Sequence, residues 1–135
     1  MSIRYWRARI AFARGHGLEA RDELSAIIGY FDERKLHGWT LSRTLRARAD
    51  VNLALGDQAA ALADIDRALQ LSRAVQGGRP YSALTGRTLA VAARIHAERG
   101  AAADARAAAA EAATHLNATL GAQHPETVAI NRLAK

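Results

Sequence analysis

An all-α fold, built as a helical solenoid, is the class this sequence predicts, and three observations carry the prediction. Gly15, Gly56 and Gly100 stand 41 and 44 residues apart, and each has an alanine seven residues before it and five after: Ala8 and Ala20, Ala49 and Ala61, Ala93 and Ala105. A period of this size marks stacked helix pairs, none of which buries its apolar face without a neighbour. Alanine makes up about a quarter of the chain and proline occurs twice, and alanine loses no side-chain entropy on becoming helical. Apolar residues recur at helical spacing throughout, with few β-branched or aromatic runs to compete. The length of 135 residues, 50% hydrophobic and 24% charged, fits one domain spanning residues 1–135.

Ile3, Trp6, Ile10 and Ala13 recur at helical spacing, which predicts a first helix over about residues 2–14. Gly15-His16-Gly17 breaks it. A second helix over about 18–35 carries Leu24, Ile27, Ile28 and Phe31 on one face, and His37-Gly38 closes the pair. The next pair covers about 40–55, with Leu41, Leu45 and Leu53, and about 58–76, with Leu62, Ile65 and Leu69. Asp57 in the joining turn suits an N-cap, since its carboxylate can accept from the unpaired first-turn amides. A third pair covers about 80–99 and 102–120, joined at Gly100. Pro125 opens a last helix, where its missing N–H has no intrahelical partner to lose, and Glu126 suits the positive end of the helix dipole.

The repeated alanines have a packing reason. Small residues seven before and five after each glycine let the two helices of a hairpin approach closely, while larger residues such as Leu24 and Ile65, nine beyond the glycine, fill the space between hairpins.

This register of small residue, glycine turn and small residue resembles the tetratricopeptide repeat. Ala8/Gly15/Ala20, Ala49/Gly56/Ala61/Ala68 and Ala93/Gly100/Ala105/Ala112 stand where that family keeps its small residues and inter-helix turn. The longer period and the segment Leu120-Gly121-Ala122-Gln123-His124-Pro125-Glu126-Thr127 resemble the kinesin-light-chain-type variety, and Gly77-Gly78-Arg79-Pro80-Tyr81-Ser82 resembles a degenerate copy of the same restart. The chain departs from the family at its tryptophan-like position (Arg4, Leu45, Leu89) and at its closing proline (Asp32, Arg73, Asn117). The resemblance implies a right-handed array of about three repeats, approximately residues 1–38, 39–78 and 79–121, and a terminal helix over 125–135. Bacterial arrays of this variety often follow a catalytic or DNA-binding domain. The last helix accordingly reads either as the start of a further repeat in a longer parent or as a solvating cap.

The family geometry further implies a concave groove lined by the first helix of each hairpin. The positions that face it are Tyr5, Arg9 and Phe12, then Arg43, Arg46 and Asp50, then Arg87 and Arg94. Arginine offers planar paired donors to carboxylates and aromatic rings supply apolar anchors, so this peptide-binding set suits a protein partner or acidic peptide. The family's carboxylate clamp needs lysine and asparagine where this chain has Tyr5, Arg9 and Ala47, so that mode is not expected.

Composition and spacing narrow the chemistry. Without cysteine there is neither a disulfide nor a thiolate metal site. The basic N-terminus is not followed by an apolar run of signal-peptide type, and no run approaches a membrane span, so the expectation is a cytoplasmic protein with no membrane partner. The net charge is +6 and 17 of the 19 basic residues are arginine, a balance open to acidic proteins, nucleic acid or GC-rich drift. The five histidines form no zinc-type motif, and Asp64 and Asp66, two apart on a helix, face different ways. No phosphate-cradling loop or nucleophile elbow is present, so no catalytic residue, cofactor or metal is assigned and the chain is expected not to be an enzyme. Three roles remain: a protein-interaction module, a structural module that self-assembles as a homo-oligomer through apolar surface on the outer face of the first helix and on the last helix (Val128, Ile130, Leu133), and, least favoured, a nucleic-acid binder using a stripe of Arg4, Arg7, Arg14, Arg43, Arg46 and Arg48.

Overall fold

A computed structural model describes residues 2–135, and it contains seven helices and no strand among them. These are α1 (Ser2–Ala13), α2 (Gly17–Glu33), α3 (Trp39–Ala54), α4 (Gln58–Gln76), α5 (Ala83–Glu98), α6 (Ala102–Thr119) and α7 (Pro125–Leu133). Every expected element is present, with ends within a few residues of those read from the sequence. The chain divides into two compact units, Met1–Leu71 and Ser72–Lys135, with the division inside α4. No helix of the described residues is long and apolar enough to cross a membrane.

The three hairpin turns are built alike. Gly15, Gly56 and Gly100 have φ of 84°, 84° and 78°, the left-handed region that a side chain enters only at a cost. Each glycine N–H donates to the carbonyl three residues back, from Gly15 to Phe12 (3.0 Å), Gly56 to Leu53 (3.1 Å) and Gly100 to Ala97 (3.1 Å). The next residue reaches five back, from His16 to Ala11 (2.8 Å), Asp57 to Asn52 (2.9 Å) and Ala101 to His96 (2.9 Å). This pair of bonds is the Schellman closure, which satisfies carbonyls that a helix end would otherwise leave unpaired. Asp57 is the N-cap expected of it, its Oδ1 accepting from the Ala60 N–H at 3.1 Å.

In the first unit, α2 packs between α1 and α3. Its core joins Tyr5, Ala8 and Ala11 of α1 to Ala20, Leu24 and Ile27 of α2 and Ala47 and Val51 of α3, with Phe12 and Phe31 at its edge. The helix α4 is tied to α3 by the Ser42 hydroxyl, which donates to the Ala68 carbonyl at 2.9 Å inside the core. In the second unit α6 packs on both α5 and α7. The register alanines Ala8, Ala20, Ala49, Ala61 and Ala93 are all buried, as are Ala68, Ala109 and Ala112 further along the second helices. Ala105 is the partial exception, half-buried at the start of α6.

Ile3, Trp6 and Ile10 are 75%, 56% and 51% exposed, and the buried stripe is Tyr5, Ala8 and Ala11. Both stripes are apolar at helical spacing. Alanines allow the close approach to α2 that the bulkier residues forbid, so α1 turns its small residues inward.

Close approach also explains Gly86 of α5. A methyl group there would lie 2.8 Å from Leu116 Cδ2 and 2.9 Å from His115 Cβ of α6. Gly29 of α2 has open space around it and an ordinary helical backbone. Gly86→Ala is therefore expected to lower stability by about 1 to 2 kcal/mol, because overpacking outweighs the gain in helix propensity. Gly29→Ala should raise it by about 0.5 to 1 kcal/mol. Urea denaturation of the two variants beside the parent checks both signs.

The C-terminus of α2 has the same Schellman closure, with Lys35 donating to Asp32 (3.1 Å) and Leu36 to Phe31 (2.9 Å), but Lys35 carries the left-handed φ of 53° without being glycine. Lys35→Gly is expected to add about 0.5 to 1 kcal/mol, and Gly56→Ala to remove about 1 kcal/mol or more. Thermal melts that moved in the same direction for both would contradict this account of the turns.

Candidate interaction surface

In the first unit the side chains of α1 and α3 meet at Arg43. Its guanidinium carbon lies 4.0 Å from the centre of the Tyr5 ring, 4.9 Å from Trp39 and 5.9 Å from Trp6. Tyr5 and Trp6 are themselves edge to face, 5.2 Å between centres. The attraction is between the cation and the negative ring faces, and it leaves the guanidinium N–H donors uncommitted. Nε is buried with no hydrogen-bond partner, and among the described residues no group accepts from this side chain. Trp6 and Trp39, the only tryptophans of the chain, are each more than half exposed.

The other residues read as groove-facing divide by environment. Tyr5 is buried and Phe12 packs against the core, so both serve the interior as well as the surface above it. Arg9 is half-buried and has no acceptor among the described residues, while Arg46 and Asp50 on α3 are half-buried and engaged with neighbouring groups. In the second unit Arg87 of α5 forks onto Glu126 of α7, with Nε and Nη2 donating to its oxygens at 2.9 to 3.2 Å. Arg94 is exposed on α5 and also has a partner.

Two arginines of the candidate nucleic-acid stripe are committed inside the protein. Arg4 donates to Glu23 of α2 at 3.1 Å. Arg48 of α3 forks onto Asp64 of α4, Nε to Oδ2 at 2.8 Å and Nη2 to Oδ1 at 2.7 Å, and its Nη1 donates to the Ser25 hydroxyl at 3.2 Å. The Asn52 amide adds a third bond to Asp64 Oδ2 at 3.0 Å. This network floors a cleft of about 390 Å³ bordered by α2, α3 and the start of α4, whose rim carries Arg21 and Asp57. Sequence reasoning separated Asp64 from Asp66 by face but did not pair Asp64 with Arg48, because the two lie sixteen positions apart across a turn whose register only the folded hairpin defines.

The histidines act in capping and packing. His124 Nδ1 accepts from the Glu126 N–H at 3.1 Å and so caps α7 ahead of Pro125. His115 is buried on α6, where Nδ1 accepts from the Ser82 N–H at 3.1 Å, Tyr81 meets it edge to face and Glu111 lies 3.8 Å from Nε2 one turn back. This i, i+4 Glu–His contact and its tie to the α5 entry loop were not anticipated. Ser82 in turn caps α5, its hydroxyl accepting from the Thr85 N–H at 3.2 Å. Among the described residues no three His, Asp or Glu side chains gather as metal ligands.

No family model matches this sequence, and none of the curated proteins is a significant match.

Two exposed ion pairs between helices shift carboxylates downward. Hydrogen bonds from Arg73 hold Glu111 below the usual glutamate value, against a smaller opposing effect of burial, and Arg67 does the same for Asp32. A lowered carboxylate stabilises the fold above its unfolded value, 4.5 for glutamate, and that contribution is lost as pH falls through the lower folded value. Glu111→Gln should therefore flatten the acid limb of a plot of melting temperature against pH below 4.5. Both partners of the pair keep more than a third of their side-chain surface, so the loss at neutral pH is expected to stay under about 1 kcal/mol. An unchanged acid limb would remove the Arg73 pair from the stability of the fold.

Proposed function

We propose that this chain is a non-enzymatic protein-interaction module of tetratricopeptide type, close to the kinesin-light-chain variety, a right-handed solenoid of helix hairpins that binds an acidic peptide or a partner domain. The observation that carries the reading is the recurrence of one hairpin, with the same left-handed glycine, the same two closing bonds and register alanines, all but one fully buried. Repetition of a hairpin generates extended surface in place of an enclosed pocket, and extended surfaces of this kind are used to hold partners. Arginine on the first helices of the hairpins, at Arg9, Arg43 and Arg46 in one unit and Arg87 and Arg94 in the other, supplies forked donors suited to carboxylates. A bacterial cytoplasmic setting accompanies this reading.

Self-assembly through the helix ends is the second reading, favoured by exposed Ile3, Trp6 and Ile10 on α1 and Val128 and Leu133 on α7, whereas Ile130, expected on that surface, is buried in the core. An array of immobilised acidic peptides, probed with the parent chain and with Arg46→Glu/Arg94→Glu, tests the first. Binding that weakens by about tenfold or more in the variant, and falls as salt rises, is the expected result. Equal binding by both proteins would remove the arginine faces from the function. Light scattering over a range of concentrations tests the second, which requires a mass that grows with concentration.

A further inference from the structure

The exposed face of α1 carries a surface that shares Arg43 with the groove proposed above and otherwise uses other residues. Ile3, Trp6, Ile10 and Ala13 form one stripe along the helix, and all four are exposed. Arg7 and Arg14 run along one edge of that stripe at the intervening helical positions, exposed and without an acceptor among the described residues. Trp6 joins the stripe to Trp39 and Arg43, so the apolar face continues into a guanidinium fixed by three rings with its donors unspent. Tryptophan, tyrosine and arginine are the residues that most often dominate binding energy at protein interfaces.

Charge decides which occupant fits. The first fourteen residues hold four arginines and no acid. The apolar residues exposed on α7 sit beside Arg132 and near Lys135, and the one acid there, Glu126, is bonded to Arg87. Contact of α1 with a second copy, through either α1 or α7, sets basic against basic, which is unfavourable. A row of carboxylates on a folded segment can answer Arg7, Arg14 and Arg43 together while its apolar residues cover Ile3, Trp6 and Ile10. We infer that the outward face of α1, with Trp39 and Arg43, docks an amphipathic helical segment of a partner protein whose apolar stripe is flanked by carboxylates, one of them received by Arg43.

Both tryptophans lie in this surface, so emission from the intact chain reports its occupancy directly. Four probes separate the possible occupants: a synthetic amphipathic leucine–glutamate peptide, its leucine–lysine counterpart, phosphatidylserine vesicles and a single-stranded oligonucleotide. Saturable change with the leucine–glutamate peptide alone is expected. Ile10→Glu and Arg43→Lys, each checked for unchanged helix content by circular dichroism, should weaken that binding by about tenfold or more. Arg94→Glu, at a groove position on α5, should leave it within about twofold, which distinguishes failure here from failure of the groove reading. Equal response to the lysine peptide, tighter binding of vesicles or oligonucleotide, retention of binding in Ile10→Glu, or a dimer abolished by Ile10→Glu would each overturn the inference.

Discussion

The close approach of paired helices at a glycine turn is the constraint on which the structure depends. Each hairpin reverses through one left-handed residue, and two backbone bonds close the helix end at the same positions each time. Such a turn brings the helices together at once, and the residues seven before and five after it are alanine in every hairpin, all buried except the half-buried Ala105. Ala49 and Ala61 have no exposed surface. The alanine content of the chain is thus partly a packing requirement and not only a helix preference.

Directional bonds then fix which helix meets which. Ser42 to Ala68 and the Arg48–Asp64–Asn52 network join α3 to α4, and Arg67–Asp32 joins α4 to α2. In the second unit His115 reaches the entry loop of α5, Thr127 of α7 donates to the Leu116 carbonyl at 3.3 Å, and Arg87–Glu126 ties α5 to α7. Exposed pairs of this kind contribute little energy one by one. The buried Asp64 is different, since without Arg48 it would retain a charge with only one amide to offset it. Its network specifies the hairpin register by penalising every alternative that separates the pair.

Helix positions, glycine turns, the Asp57 cap and the Pro125 start were legible because each follows from local chemistry or from spacing within one helix. What was not legible required contacts between helices, and arginine pairing is the example. Arg48 with Asp64 and Arg87 with Glu126 are 16 and 39 residues apart, and no periodicity within a helix links them. Candidate groove residues identified by register alone therefore divided once neighbouring helices were in place, with Arg87 bonded, Tyr5 buried and Arg43 stacked on rings.

That division changes the meaning of the net charge. Glu23, Asp32, Asp64, Glu111 and Glu126 are all bonded to arginines of other helices, and each such bond cancels one positive charge where helices meet. Part of the +6 surplus then appears where no acid faces an arginine, and the N-terminal segment is such a place: residues 1–14 hold four arginines, of which, among the described residues, only Arg4 is paired to a carboxylate. A composition that looks uniformly basic is, in the folded protein, a set of neutral pairs between helices, mostly at the surface, and a first helix that keeps most of its charge. Because that helix also keeps its bulky apolar stripe outside, its charge and hydrophobicity coincide on one surface, and any partner must answer both at once.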